Sequence, residues 1–249
     1  MIAALRQRAA LDALIRAFFA ERGGLEVETP ILSEAGNTEP NIDSFHTRFS
    51  GHVDAGSAQR RVRTSPEYPL KRLLAVGVGG CYELGRGVRN GEAGARHNPE
   101  FTMLEWYRVG WDHHRLIDET VALVRAALAQ VGREATLKVL DYRSLYQAHV
   151  GLDPFEASLE QLQEPLARVR IDADGLTRDD WLDLLITHCI QPHFGDDQMT
   201  VVHDWPASQA ALARVRQGTP PLAERFELYL GAVELANGYH EVNDADEER

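Results

Sequence analysis

Leu11, Leu14, Ile15, Phe18 and Phe19 fall three and four residues apart, which predicts an amphipathic helix over residues 1–22. Gly23-Gly24 stops it, and Leu25-Glu26-Val27-Glu28 then alternates as a short strand before Pro30. Residues 33–60 scatter Gly, Asn, Asp and Ser and read as loop, with one strand near 45–49. Ser65-Pro66-Glu67 is a helix start signal, and residues 70–76 read as a buried helix behind it. Residues 81–89 and 101–108 can each run as a strand, joined by a polar loop over 90–100. Ile117, Val121, Val124 and Leu128 mark a further helix, and Leu182, Leu185 and Cys189 mark another. Between them, residues 132–178 mix short elements with turns and read as a surface insertion. Residues 226–230 and 233–242 flank Gly231, a hairpin pattern. Strands and helices mix without regular βαβ alternation, so the expected class is α+β, in one domain over 1–249.

Composition narrows the function without naming it. Apolar residues make up 44% and charged residues 26%, ordinary for a chain that builds a core. The longest weakly polar stretch, residues 73–80, is far short of the ~20 a bilayer requires. Two cysteines make no disulfide framework, and the opening residues lack the apolar core of a signal peptide, so a reducing cytoplasm is the expected setting. The net charge of −12 argues against a broad surface that tracks nucleic-acid phosphates, while leaving room for a local cationic pocket.

Two segments carry candidate chemistry. Strand alternation puts Phe101, Met103, Glu105 and Tyr107 on one face, an odd row for a core. The preceding loop holds Arg89, Arg96 and His97. An aromatic plate suits base stacking, arginine forks suit phosphates and a carboxylate suits an amine. A plainer reading stands beside it, with Glu105 paired to an arginine at a sheet edge and Phe101 simply core. In the second segment, a turn at Gly231 makes Glu227 and Glu234 cross-strand neighbours, and two adjacent carboxylates call for a cation such as Mg²⁺ on phosphates. Asn237, Tyr239 and Glu241 have the opposite parity and form a separate polar row; a solvated hairpin is the plainer reading here. His188, Cys189 and His193 are too irregular for a metal site, and His113-His114 opens a helix and reads as surface. The chain holds no Gly-x-Ser-x-Gly or Walker loop.

Thr64-Ser65-Pro66-Glu67, Arg89-Asn90, the run from Arg96 to Tyr107 and the run from Glu234 to Glu241 resemble the catalytic core of class II lysyl-tRNA synthetases. Within that group the chain is most similar to the stand-alone paralogous family of elongation factor P–lysine ligases. The resemblance covers nearly the whole chain. It starts directly at the catalytic-domain helix, with no oligonucleotide-binding barrel ahead, and Pro206-Ala207-Ser208-Gln209-Ala210 matches the paralogous version of its strand.

That resemblance implies a homodimeric, AMP-forming ligase with an antiparallel sheet flanked by helices, using ATP and Mg²⁺. It implies activation of lysine or (R)-β-lysine as an adenylate and transfer to a lysine side chain of elongation factor P, without stable tRNA binding. It places Pro30 at the dimer interface, and Arg89 between the α-phosphate and the substrate carboxylate. Arg96 and His97 fall on the outer phosphates and Phe101 on adenine. Glu227 and Glu234 are the implied magnesium ligands, Glu67 meets the amine next to the carboxylate, Glu105, Tyr107, Asn237 and Glu241 surround the distal ammonium, and Tyr239 is a further substrate-binding residue. Gly91 stands where the family has a glutamate, so Glu92 is expected to serve through a shifted loop. The match stops at Arg249, before motif 3, so these residues alone are expected to be weakly active or inactive. A non-catalytic binding and dimerisation module and a lysyl-tRNA synthetase fragment are the competing readings.

Overall fold

The helix expected at the start, α1 (Ile2–Glu21), buries Ile15, Phe18 and Phe19 and leaves its first turns exposed. Phe19 stacks on Tyr82, with ring centroids 4.5 Å apart, and Gly23 ends the helix at φ +68°. After it come β1 (Leu25–Glu26), β2 (Leu32–Ser33), β3 (His46–Arg48), β4 (Gln59–Val62), α2 (Glu67–Ala75), β5 (Cys81–Val88) and β6 (Glu100–Tyr107). The computed structural model describes residues 1–38, 42–52, 54, 56–94 and 97–243. It has helices with mixed sheets, as the α+β pattern implies, in two units, residues 1–110 and 111–249.

In the first unit, β1 lies parallel to β5, and β5 lies antiparallel to β6. A separate small sheet runs β2-β4-β3. The β5/β6 register sets Glu105 opposite Glu83, Met103 opposite Gly85 and Phe101 opposite Gly87, so the row expected from alternation is one face of a hairpin.

The second unit runs α3 (His113–Gln130), β7 (Thr136–Asp141), α4 (Tyr142–Val150), α5 (Leu159–Gln163), α6 (Arg178–Leu185), β8 (Gln198–Pro206), β9 (Val215–Arg216), β10 (Leu222–Leu230) and β11 (Val233–Tyr239). Its sheet has the order β11-β10-β8-β7, with β9 on β10; β7 and β8 are parallel and the other pairs antiparallel. Met199, Val201, Phe226 and Leu228 turn to Ile117, Val121 and Leu128 of α3. Alternation sends Val202 and Tyr229 to the other face, under α4 and α6, and the irregularity at Asp204 turns Trp205 to that face as well.

Residues 132–178 differ from the surface insertion expected of them. They supply β7 to the sheet, and Tyr142, Leu145, Tyr146 and Leu162 are fully buried in one cluster with Leu182, Leu185 and Trp205. Each such side chain is worth about 1.5–3 kcal/mol by burial. Tyr146 donates its hydroxyl to the Leu182 carbonyl at 2.6 Å, so the phenol costs nothing there. Turns such as Gly151 at φ +72° punctuate this core rather than mark an excursion from it. No helix among the described residues is long and apolar enough to cross a membrane.

Candidate active site

The residues expected to carry chemistry divide between the two units. In the first, glycines make the space. A Cβ on Gly87 would lie 2.7 Å from the Phe101 ring, so only glycine lets that ring lie down across β5. The Arg89 guanidinium sits 5.1 Å from the Phe101 ring centroid, a cation beside an aromatic plate. Its Nε donates to the Thr64 carbonyl at 3.4 Å, and its Nη1 is 3.3 Å from Glu92 Oε1. Glu92 thus reaches back to the arginine from beyond the turn that Gly91 makes at φ +84°. His97 is exposed, and the Gly94 N–H donates to its carbonyl at 2.9 Å. Arg96 lies outside the described residues.

Along the same face of β6, Tyr107 donates its hydroxyl to Glu105 Oε1 at 3.0 Å, which fixes the carboxylate's orientation. Glu67 opens α2 and pairs with Lys71 at 2.7 Å. Beneath them lies a buried network absent from the sequence reading. Arg63 pairs with Glu83, Thr29 donates to Glu83 Oε2 at 2.6 Å, and Arg63 Nε donates to the Arg86 carbonyl at 3.1 Å. It locks β5 to the chain before β2, and a Cβ on Gly85 would strike its Arg63 and Glu83 atoms at 2.7 and 2.6 Å. Pro30, next to Thr29, is exposed, as are Ile31 and Leu32.

In the second unit the hairpin expected at Gly231 is present, but its register carries a bulge. Tyr229 faces Glu234, Glu227 faces Asn237 and Arg225 faces Tyr239. Glu227 and Glu234 are therefore diagonal rather than direct cross-strand neighbours. The bulge also resets parity, so Asn237 and Tyr239 lie on the same face as Glu227 and Glu234, not in a separate row. Glu241 follows, bridged to Ala213.

Glu227, Glu234, Arg225, Tyr229 and Asp183 of α6 line one cavity of about 300 Å³. Glu227 is 8% exposed; Arg225 Nη2 donates to its Oε1 at 2.6 Å and Tyr229 donates to its Oε2. Burial pushes the Glu227 carboxyl up to about 7 against the pull of Arg225, and Glu234 repels it further. Desolvation also raises Asp183, against Gln209 and Arg225, and raises Glu234 although that residue keeps exposed surface. Three carboxyls share one arginine here, so the cavity is short of positive charge and suits a divalent cation. Arg225 was legible in principle: it is two residues before Glu227 on one strand, hence on its face. Asp183 arrives from a separate helix and had no local signal.

The family model for class II tRNA synthetases (D, K and N) matches residues 1–249, and the chain belongs to that family, which makes it a ligase of the class II synthetase type. Among its relatives, the elongation factor P–(R)-β-lysine ligase of Yersinia enterocolitica is 46% identical over 250 residues, covering 99% of this chain and 76% of that protein. The proteins of the same name from an Enterobacter species and from Salmonella gallinarum are 44% identical, each match covering 98% of this chain and 75% of the relative.

Proposed function

We propose that this ligase activates a lysine-like amino acid, with (R)-β-lysine preferred, as an adenylate, and transfers it to a lysine side chain of elongation factor P. The Arg89–Phe101 pair carries the reading, because a purine stacks on the ring while the guanidinium meets the phosphate next to it. His97 and Arg96 are assigned to the outer phosphates, and Glu92 steadies Arg89. Glu105, oriented by Tyr107, takes the distal ammonium, and Glu67 takes the amine nearer the carboxylate; Asn237, Tyr239 and Glu241 are assigned as further substrate-binding residues. The names of relatives at 44–46% identity support the donor and the acceptor. The chain's net charge of −12 supports a protein acceptor over tRNA.

In the reaction the amino acid's carboxylate attacks the α-phosphate of ATP in line and pyrophosphate leaves. Arg89 meets the charge that builds on the α-phosphoryl oxygens. The acceptor's lysine amine then attacks the adenylate carbonyl and AMP departs. Glu227 and Glu234 are the residues that would hold Mg²⁺, which when bound neutralises phosphate charge. The exposed run Pro30-Ile31-Leu32 is the proposed homodimer contact, and the cytoplasm the proposed setting. Leu32→Asp is then expected to give monomers by light scattering; an unchanged mass would move the contact elsewhere.

The test is amino-acid-dependent ATP–pyrophosphate exchange with α-lysine and (R)-β-lysine side by side, followed by mass analysis of elongation factor P. Exchange well above background with (R)-β-lysine, and an acceptor heavier by one β-lysyl group, is the expected result. Exchange that favours α-lysine and charges tRNA instead would overturn the reading.

A further inference from the structure

A second cluster of ligating side chains lies in the 111–249 unit, and the proposed reaction does not use it. His113 and His114 open α3, and His203 lies on β8; one ligating atom from each falls within 4.8 Å of the other two. The ring centroids are 4.1 Å apart for His113 and His114 and 5.2 Å for His114 and His203. His113 was expected at the surface but is 2% exposed, because it sits at the sheet-facing start of α3. Both of its ring nitrogens lack a well-directed hydrogen-bond partner, as does His203 Nδ1. Buried imidazole nitrogens left this way are costly unless something completes them.

Asp204 stands between the rings. Its Oδ1 is 3.3 Å from His113 Nε2 and its Oδ2 is 3.3 Å from His203 Nδ1, both at contact distance but poorly directed. Arg216 holds that carboxylate from the far side at 3.0 Å. Asp204 takes φ +58°, a left-handed conformation that aspartate tolerates, and faces the bulge where β10 runs Ala223 to Phe226 against it. A carboxylate touching one nitrogen of each of two histidines is the usual backing of a metal-bound imidazole pair, since it fixes their tautomers and turns the opposite nitrogens to the ion.

We propose that His113, His114 and His203 form a binding site for a divalent transition metal of the zinc type, with Asp204 as the positioning residue behind two of the imidazoles. Three imidazoles favour zinc, cobalt, nickel or copper over magnesium or calcium. Tetrahedral zinc sets its nitrogen ligands roughly 3.4 Å apart, so the three atoms, within 4.8 Å of one another, draw in by up to about 1.4 Å to meet an ion. His114 is exposed, which gives the ion a way in and leaves the fourth position to water. The amino end of α3 opposes a cation, and Asp112 at the cap with Asp204 beneath offsets it. Bound metal would fasten the start of α3 to β8.

The full chain, untagged and stripped with a chelator, is titrated with Co²⁺ and then Zn²⁺. The expected result is one equivalent of tetrahedral Co²⁺ absorption that Zn²⁺ abolishes, with a rise in melting temperature on Zn²⁺ addition. His114→Ala changes only an exposed side chain and so keeps the fold. It and His203→Asn are expected to weaken binding by about tenfold or more, while Asp204→Asn weakens it by about 10–100-fold with the stoichiometry kept. No tetrahedral Co²⁺ spectrum at micromolar metal, or a spectrum unchanged in both histidine variants, would overturn the proposal.

Discussion

At the residue scale, the first-unit site rests on few atoms whose roles separate cleanly. Arg89 is the one described cation at the Phe101 ring, so Arg89→Ala is expected to lower kcat for exchange by at least about 10²-fold, the usual cost of removing a group aimed at developing charge. Exchange that survives within a few fold would show the guanidinium to be structural. Glu105→Gln keeps the shape and the Tyr107 contact but removes the charge. A charged hydrogen bond is worth about 1.5–3 kcal/mol, so KM for the amino acid is expected to rise roughly 10–100-fold with KM for ATP unchanged. Parallel loss of both would assign Glu105 to the fold.

At the element scale, the two hairpins and α1 were legible because their patterns are local. Alternation along β6 named the Phe101-to-Tyr107 face, and Gly231 named the second turn. β8 was missed for the opposite reason: Met199, Thr200, Val201 and Val202 are all buried, so a strand covered on both faces shows no alternation. The bulge in β11 was equally silent, since one extra residue leaves composition untouched yet turns Asn237 and Tyr239 to the other face. Burial of His113 likewise follows from its partners on β8, which no helical period announces. What β5 contributes is space, and that is testable: Gly87→Ala puts a Cβ 2.7 Å from the Phe101 ring and 3.0 Å from the Thr64 carbonyl. Overpacking of this sort costs about 1–3 kcal/mol, so KM for ATP is expected to rise about tenfold while the far-ultraviolet dichroism stays native. An unaltered KM would mean that the ring does not lie under the nucleotide.

At the scale of the whole molecule, charge sets the stability profile. Glu227 titrates above its unfolded value, so in metal-free buffer the fold loses stability as pH rises from about 4.5 towards 7 and the buried carboxyl ionises. Burial works to raise Asp204, but His113, His203 and Arg216 outweigh it and hold the carboxyl far below its ordinary 3.8. Its contribution is complete above pH about 4 and lost as pH falls further. Denaturant melts in EDTA are therefore expected to show a maximum between about pH 4 and 5, with the neutral-side slope reduced in Glu227→Gln, where Asp183 and Glu234, also raised by burial, carry the remainder. A flat profile from pH 4.5 to 7 in the parent chain would contradict the burial assigned to Glu227.

The parallel pairing of β7 with β8 carries a consequence for synthesis. Leu140 is matched with Val202, and the helix that follows β7 places Tyr142, Leu145 and Tyr146 in the core that β8 completes. A ribosome adding about 5–20 residues per second needs roughly 3–12 s to travel from one partner to the other. For that interval the nascent chain presents an unpaired strand and three large apolar side chains to whatever surrounds it. Slow translation between codons 142 and 198 would prolong that exposure.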